Sequence, residues 1–131
     1  MTARQLIAIV DDDPLIRDTL RDLLDSVGHA SVAFASAQRF LRSKRLASFG
    51  CLVTDMRMPH TTGIELHRHL VATGLRIPTI LITAYPEEAV RQRAASDGIL
   101  CYLPKPFTTE ALLACVDAAL HGRGHPSTSE R

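Results

Sequence analysis

Four carboxylates, a hydroxyl and an ammonium group fall at the ends of four apolar runs. The acidic run Asp11-Asp12-Asp13 follows Leu6–Val10, Asp55 follows Cys51–Thr54, Thr83 follows Thr79–Ile82, and Lys105 comes just after Leu100–Leu103. Adjacent acids such as Asp11 and Asp12 repel one another and resist joint ionisation unless a cation is present. A hard divalent ion relieves that repulsion, and Mg2+ suits one or two carboxylates completed by water and phosphate oxygens. A carboxylate such as Asp55 can act as a nucleophile toward phosphorus and form an acyl phosphate. Thr83 can hydrogen-bond a phosphoryl oxygen, and Lys105, held between Pro104 and Pro106, can neutralise a transferring phosphoryl group as a point charge. Singly these residues have plain explanations: Asp caps helices, Thr is frequent in strands, and lysines coat surfaces. Asp13 is expected to act only as a cap. The joint pattern points to a metal ion and a phosphoryl group at one site.

The elements that must position these groups can be read from the periodicity. Short apolar runs bounded by turn residues are buried strands, and the segments between them repeat at helical spacing. Asp13-Pro14 opens a helix with Ile16, Leu20, Leu23, Leu24 and Val27 on one face, and Gly28 closes it. Ala30–Phe34 is a weaker second strand, and Ser36 caps a helix that buries Phe40 and Leu41. Gly50 precedes the third strand, Cys51–Thr54. Met56–Thr62 reads as a loop, and a helix from about Gly63 to Thr73 buries Ile64, Leu66 and Leu70. Ile77–Ile82 is the fourth strand. Pro86 opens a helix to Ser96 with little apolar stripe beyond Val90, so that helix is expected to be loosely anchored. Leu100–Leu103 is the fifth strand, and Thr108 caps a last helix carrying Leu112, Leu113, Val116 and Leu120. Strand and helix alternate five times, which predicts an α/β fold, a doubly wound parallel sheet with helices on both faces. Ligands of such sheets bind outside the carboxyl ends of the strands, where the polar residues fall here.

The rest of the composition narrows the class. A chain of 131 residues, 46% hydrophobic and 22% charged, is the size and make-up of one ordinary globular domain. Residues 1–121 are expected to form it, and the Gly-, Pro- and Ser-rich stretch 122–131 to be a flexible tail or the start of a linker. A formal net charge of +1 argues against a nucleic-acid surface, and the basic group Arg39, Arg42, Lys44 and Arg45 reads as a solvated face. The apolar runs are too short to span a bilayer, and Met1–Gln5 has no signal-peptide core, so a cytoplasmic protein without membrane contact is expected. Cys51, Cys101 and Cys115 form an odd, scattered set with no CxxC pair, and all three are expected to be small buried hydrophobes. His67 and His69 lie two apart on a helix and do not share a face, so with His60 they make no metal cluster.

Four motifs carry a resemblance. Ile9-Val10-Asp11-Asp12-Asp13-Pro14, Thr54-Asp55-Met56-Arg57-Met58-Pro59 through Gly63, Ile82-Thr83-Ala84 and Lys105-Pro106-Phe107 look like the receiver domain of bacterial two-component response regulators. The likeness spans about residues 5–121 in order and spacing, and the wording around Asp55 and Lys105 resembles the FixJ branch. It implies the flavodoxin-like receiver fold with strand order 2-1-3-4-5. It also implies that Asp55 is the phosphoacceptor, served by a sensor histidine kinase or a phosphotransfer protein. Mg2+ (or Mn2+) would be held by Asp11, Asp12, Asp55 and the backbone carbonyl of Arg57. The phosphoryl group would meet Thr83, the backbone of Ala84 and Lys105. Thr83 and Tyr102 would turn inward as a switch, the Lys105–Pro106 peptide would be cis, and Gly63 would permit a tight turn. The surface of the fourth helix, fifth strand and fifth helix would then change shape and support a phosphorylation-dependent homodimer. Such a protein is a signalling domain that assists its own phosphorylation and dephosphorylation rather than an enzyme. It touches no nucleic acid through this domain. No helix-turn-helix follows Leu120, which suits a stand-alone regulator or the N-terminal part of a transcriptional one.

Departures and rivals sharpen the reading. Arg57 and Tyr85 stand two residues after Asp55 and Thr83, where receivers admit the hydrolytic water, so both are expected to tune dephosphorylation. His60 replaces an acid often found there. A dehalogenase-like phosphotransferase would need a second Asp where Arg57 stands. A flavodoxin-like electron carrier would need a neutral phosphate loop where Asp11-Asp12-Asp13 stands. A degenerate receiver that acts by binding alone is the alternative these residues leave open.

Overall fold

Strand β1 (Leu6–Val10) is apolar at every position because both of its sides face protein. The structure, a computed structural model, describes residues 6–121. Four further strands lie parallel to β1: β2 (Ser31–Phe34), β3 (Phe49–Asp55), β4 (Thr79–Thr83) and β5 (Cys101–Pro104). Their order across the sheet is β2-β1-β3-β4-β5. Helices α1 (Pro14–Ser26), α2 (Ala37–Leu41), α3 (Gly63–Ala72), α4 (Glu88–Ser96) and α5 (Thr109–His121) make the crossovers. This is the doubly wound arrangement, with the strand order, that the sequence and its resemblance imply.

The period of two in a strand sorts the apolar residues onto two faces. Ile7 and Ile9, Cys51 and Val53, and Ile80 and Ile82 point to one side, where they meet Leu20 and Leu24 of α1 and Leu112 and Val116 of α5. Ala8, Val10 and Leu52 point to the other side, against Phe40 of α2 and Leu66 and Leu70 of α3. Phe34, Phe40 and Phe49 meet there edge to face or tilted, with ring centroids 5.5 to 5.9 Å apart. Leu81 faces Ile64, Ala94 and Ile99 in a smaller cluster under α4. Ala94 is the one buried residue of α4, so this helix is as weakly held as its sequence suggests.

Local chemistry sets the ends. Asp13 caps α1 by accepting from the Leu15 N–H at 2.9 Å, with Pro14 at the first helical position. Gly28 and Gly98 follow α1 and α4 with φ near +90°, the left-handed geometry that ends a helix at least cost in glycine. Thr62 and Glu65 form a reciprocal capping box at α3, the structural counterpart of a Thr-x-x-Glu signal in the sequence.

Several expectations need correction. Strand β3 starts at Phe49 rather than after Gly50, because Phe49 pairs with Leu6 across a register shift. Strand β4 starts at Thr79 rather than Ile77, and β5 runs to Pro104. Helix α4 starts at Glu88, two residues beyond Pro86. The expected loop Met56–Thr62 contains a two-residue antiparallel ladder, Arg57–Met58 on Thr61–Thr62, turned by His60 at φ +74°. Gly63 has no left-handed φ, so it serves space rather than a tight turn. Cys101 and Cys115 are not separate buried hydrophobes: they are half-buried and disulfide-bonded, joining β5 to α5. Only Cys51 is a free buried cysteine, and burial pushes its thiol up to about 12. The pairing escaped the sequence because a strand and a helix are brought together by the crossover, which no local spacing encodes. The stretch 122–131 lies outside the described residues.

Candidate functional site

Parallel strands all point their carboxyl ends the same way, so the polar residues that end β1, β3, β4 and β5 share one edge of the sheet. Asp11 lies just past β1 and is buried. Its Oδ1 accepts from the Asp13 N–H at 2.9 Å, and its carbonyl accepts from Nη1 of Arg17 at 2.8 Å. Arg17 was not singled out from the sequence. Its one visible signal is its place one turn into the helix that Asp13 caps. Asp12 is exposed. Asp55 ends β3 in register with Ile82, and the Met56 N–H donates to the Ile82 carbonyl at 2.7 Å. Lys105 follows β5 with its N–H on the Thr83 carbonyl at 2.7 Å, and the Lys105–Pro106 peptide is cis. Nζ of Lys105 lies 3.5 Å from Oδ1 of Asp55.

Carboxylate oxygens of Asp11, Asp12 and Asp55 all lie within 4.8 Å of one another. Burial pushes the Asp11 carboxyl up to about 6, opposed by the Asp13 N–H and reinforced by the charge of Asp55. Burial also raises the Asp55 carboxyl, with the Lys105 ammonium pulling it back. Three acids with one ammonium make a donor set of hard oxygens short of positive charge, which fits a divalent cation such as Mg2+.

A linkage prediction follows from Asp11. Its folded pKa, about 6, exceeds the ordinary 3.8, so its protonated form is favoured by folding. The resulting stability is fully present below pH 3.8 and lost as the pH rises through about 6. In metal-free buffer at pH 7, Asp11→Asn therefore stabilises the protein, by on the order of 2 kcal/mol. Millimolar Mg2+ is expected to raise the melting temperature of the wild type, and chelation to reverse the gain. Thermal unfolding with and without EDTA checks both, and a wild type indifferent to Mg2+ would contradict the metal assignment.

The remaining expected residues surround this centre. Thr83 is buried, and its hydroxyl accepts from the Tyr85 N–H at 3.0 Å; among the described residues that hydroxyl makes no hydrogen bond to the side chain of Asp55 or Lys105. Ala84 is exposed at the same strand end. Tyr102, on β5, packs beside Ile64 and Leu81, and its hydroxyl accepts from the Glu87 N–H at 3.1 Å. The Arg57 guanidinium lies over the Tyr85 ring, 5.1 Å from its centroid. Gly63 sits directly behind Asp55: a Cβ there would lie 2.8 Å from the Asp55 carbonyl oxygen and run into Leu81. Nothing in the sequence distinguishes this glycine from one chosen for its φ.

A family model described as the response regulator receiver domain matches residues 7–117. The chain belongs to this family. It is 35% identical over 130 residues to the transcriptional regulatory protein FixJ of Bradyrhizobium diazoefficiens, covering 99% of this chain and 63% of that protein. It is also 35% identical over 115 residues to the response regulator protein TodT of Pseudomonas putida, covering 88% of this chain and 51% of TodT. The chain thus spans about half to two thirds of the length of these relatives. Among solved structures, it resembles the response regulator StyR with a TM-score of 0.84 and 41% identity, over 91% of this chain and 60% of that one. The N-terminal part of FixJ matches with a TM-score of 0.83 and 28% identity, over 95% of this chain and 99% of that one. The receiver domain is a signalling domain, and among the described residues no helix is long and apolar enough to cross a membrane.

Proposed function

We propose that this receiver domain is phosphorylated on Asp55 in a Mg2+-dependent reaction. The observation that carries the reading is the Asp55–Lys105 ion pair at 3.5 Å inside a group of three carboxylates. Asp55 is the nucleophile: an oxygen of its carboxylate bonds to phosphorus as the bond from phosphorus to the donor breaks, and the donor leaves with the electron pair. The donor is a sensor histidine kinase or a phosphotransfer protein. Lys105 moves from partial neutralisation of Asp55 to neutralisation of the phosphoryl oxygens. The Thr83 hydroxyl and the Ala84 N–H donate to the other oxygens. Asp11, Asp12, Asp55 and the Arg57 carbonyl would hold Mg2+, or Mn2+, which when bound screens the charge of the incoming phosphoryl group.

A phosphoryl group adds about −1.5 to −2 charges and strong acceptors at Asp55. Its oxygens accept from the Thr83 O–H, which turns toward them and away from the Tyr85 N–H that it accepts from here, and Tyr102 turns inward behind Thr83. The weakly packed α4 then shifts, and the α4-β5-α5 surface becomes a homodimer contact. The domain, residues 1–121, assists its own phosphorylation and dephosphorylation without turning over an external substrate. It acts in the cytoplasm and touches neither nucleic acid nor membrane. It works alone or, as the longer relatives suggest, as the N-terminal part of a transcriptional regulator. Intact mass after incubation with acetyl phosphate tests this. A gain of one phosphoryl mass that EDTA abolishes is expected, and no gain in folded protein with any donor would overturn it.

The stacked Arg57 and Tyr85 side chains shield the acyl phosphate from water. Replacing both with Ala is expected to shorten its lifetime by roughly tenfold, about 1.4 kcal/mol in the hydrolysis barrier. The decay of the phosphorylated mass measures this, and an unchanged lifetime would remove both residues from that role.

A further inference from the structure

We propose that Cys101 and Cys115 form a reversible thiol–disulfide site, a clasp on the α4-β5-α5 surface whose redox state sets how far phosphorylation can rearrange that surface. The second half of the proposal rests on the reading of Asp55 as phosphoacceptor. Cys101 is the first residue of β5, and Cys115 lies in the middle of α5. Their Cα atoms are 6.3 Å apart, within the span of a disulfide. Both are half-buried, so a small thiol can reach them, whereas Cys51 is fully enclosed. A disulfide in a cytoplasmic setting is usually transient and sensing rather than structural.

The placement gives the bond leverage. Successive residues of a strand point to opposite faces. Cys101 and Leu103 pack on the α5 side of the sheet, and Tyr102 packs on the α4 side with Ile64 and Leu81. The bond therefore holds β5 from behind while Tyr102 holds the start of α4 in front, through the Glu87 N–H at 3.1 Å. Oxidised, the clasp ties β5 and α5 into one body in the arrangement seen here. Reduced, it frees β5 to move against α5 as Tyr102 turns inward.

The chemistry balances with a glutathione-type disulfide as oxidant. One cysteine thiolate attacks it, forming a mixed disulfide and releasing one small thiolate, which takes up a proton. The second cysteine, as thiolate, attacks the protein-side sulfur, closes the Cys101–Cys115 bond and releases the second small thiol. Two electrons pass from the cysteine pair to the small disulfide, and reduction is the reverse.

The test equilibrates the full chain in glutathione buffers from fully reduced to fully oxidised and traps free thiols with N-ethylmaleimide under native conditions. Intact mass is expected to show two adducts at the reduced end and none at the oxidised end, with Cys51 unreacted throughout. Two adducts at every ratio, or none before denaturant is added, would overturn the clasp. A second arm measures dimer dissociation by analytical ultracentrifugation after acetyl phosphate and Mg2+, on oxidised and reduced wild type and on Cys115→Ser. The oxidised form is expected to dimerise at least fivefold more weakly than the other two. Equal affinities in phosphorylated protein would overturn the coupling. A chain that takes up no phosphoryl group would sink the phosphoacceptor reading instead, and the trapping arm would still decide whether the bond is reversible.

Discussion

Asp55→Asn is expected to abolish phosphoryl uptake and to leave the fold intact. An amide nitrogen or oxygen does not attack phosphorus at neutral pH, so the initial rate falls by more than about a thousandfold, about 4 kcal/mol. Stability moves the other way or not at all. Burial raises the Asp55 carboxyl, so the folded state disfavours the charge that the substitution removes. Lys105 loses a partner at 3.5 Å but keeps enough exposure to be solvated. A time course of intact mass with acetyl phosphate and Mg2+, beside a thermal melt in metal-free buffer, separates chemistry from folding. Uptake at the wild-type rate by the variant would move the nucleophile to Asp11 or Asp12.

The largest expected loss of stability is Gly63→Ala. The added Cβ meets the Cδ1 of Leu81 head-on and lies 2.8 Å from the Asp55 carbonyl oxygen and 3.2 Å from Cγ2 of Thr54. Leu81 is fully buried and cannot swing away, and the Asp55 carbonyl is backbone. The clash must be relieved by lifting the start of α3 off the sheet, at about 2–3 kcal/mol. Because the same movement displaces the residues after Asp55, phosphoryl uptake slows as well. Urea unfolding of Gly63→Ala, and of Gly63→Ala with Leu81→Ala, checks the cause: the second substitution recovers part of the loss if Leu81 is the obstacle. A single variant within about 0.5 kcal/mol of wild type would show that the loop has slack.

Most of the scaffold was legible because a parallel sheet buried on both faces writes its strands as apolar runs and leaves its polar residues at their ends. Asp11, Asp12, Asp55 and Lys105 were found that way, and the structure brings them within one cluster. The rest depended on contacts between distant elements. The Cys101–Cys115 bond crosses from β5 to α5. The demand on Gly63 comes from Leu81, on a different strand, and a glycine needed for space looks like one needed for its φ. His60, not a glycine, carries the left-handed turn of the loop. The early start of β3 was hidden because Phe49 is extended by its pairing with Leu6, not by its own neighbours.

Helix α4 has no side-chain cap of its own: Glu87 stands at the N-cap and contributes no such hydrogen bond. The Tyr102 hydroxyl, from a separate strand, accepts the N–H of Glu87 instead. The beginning of this helix is therefore on loan from β5. Whatever rotates Tyr102 away withdraws an acceptor that one of the helix's first amides relies on, and the first turn frays. Amide hydrogen exchange at Glu87–Val90 thus becomes a gauge of the tyrosine's position, readable without any partner or output domain.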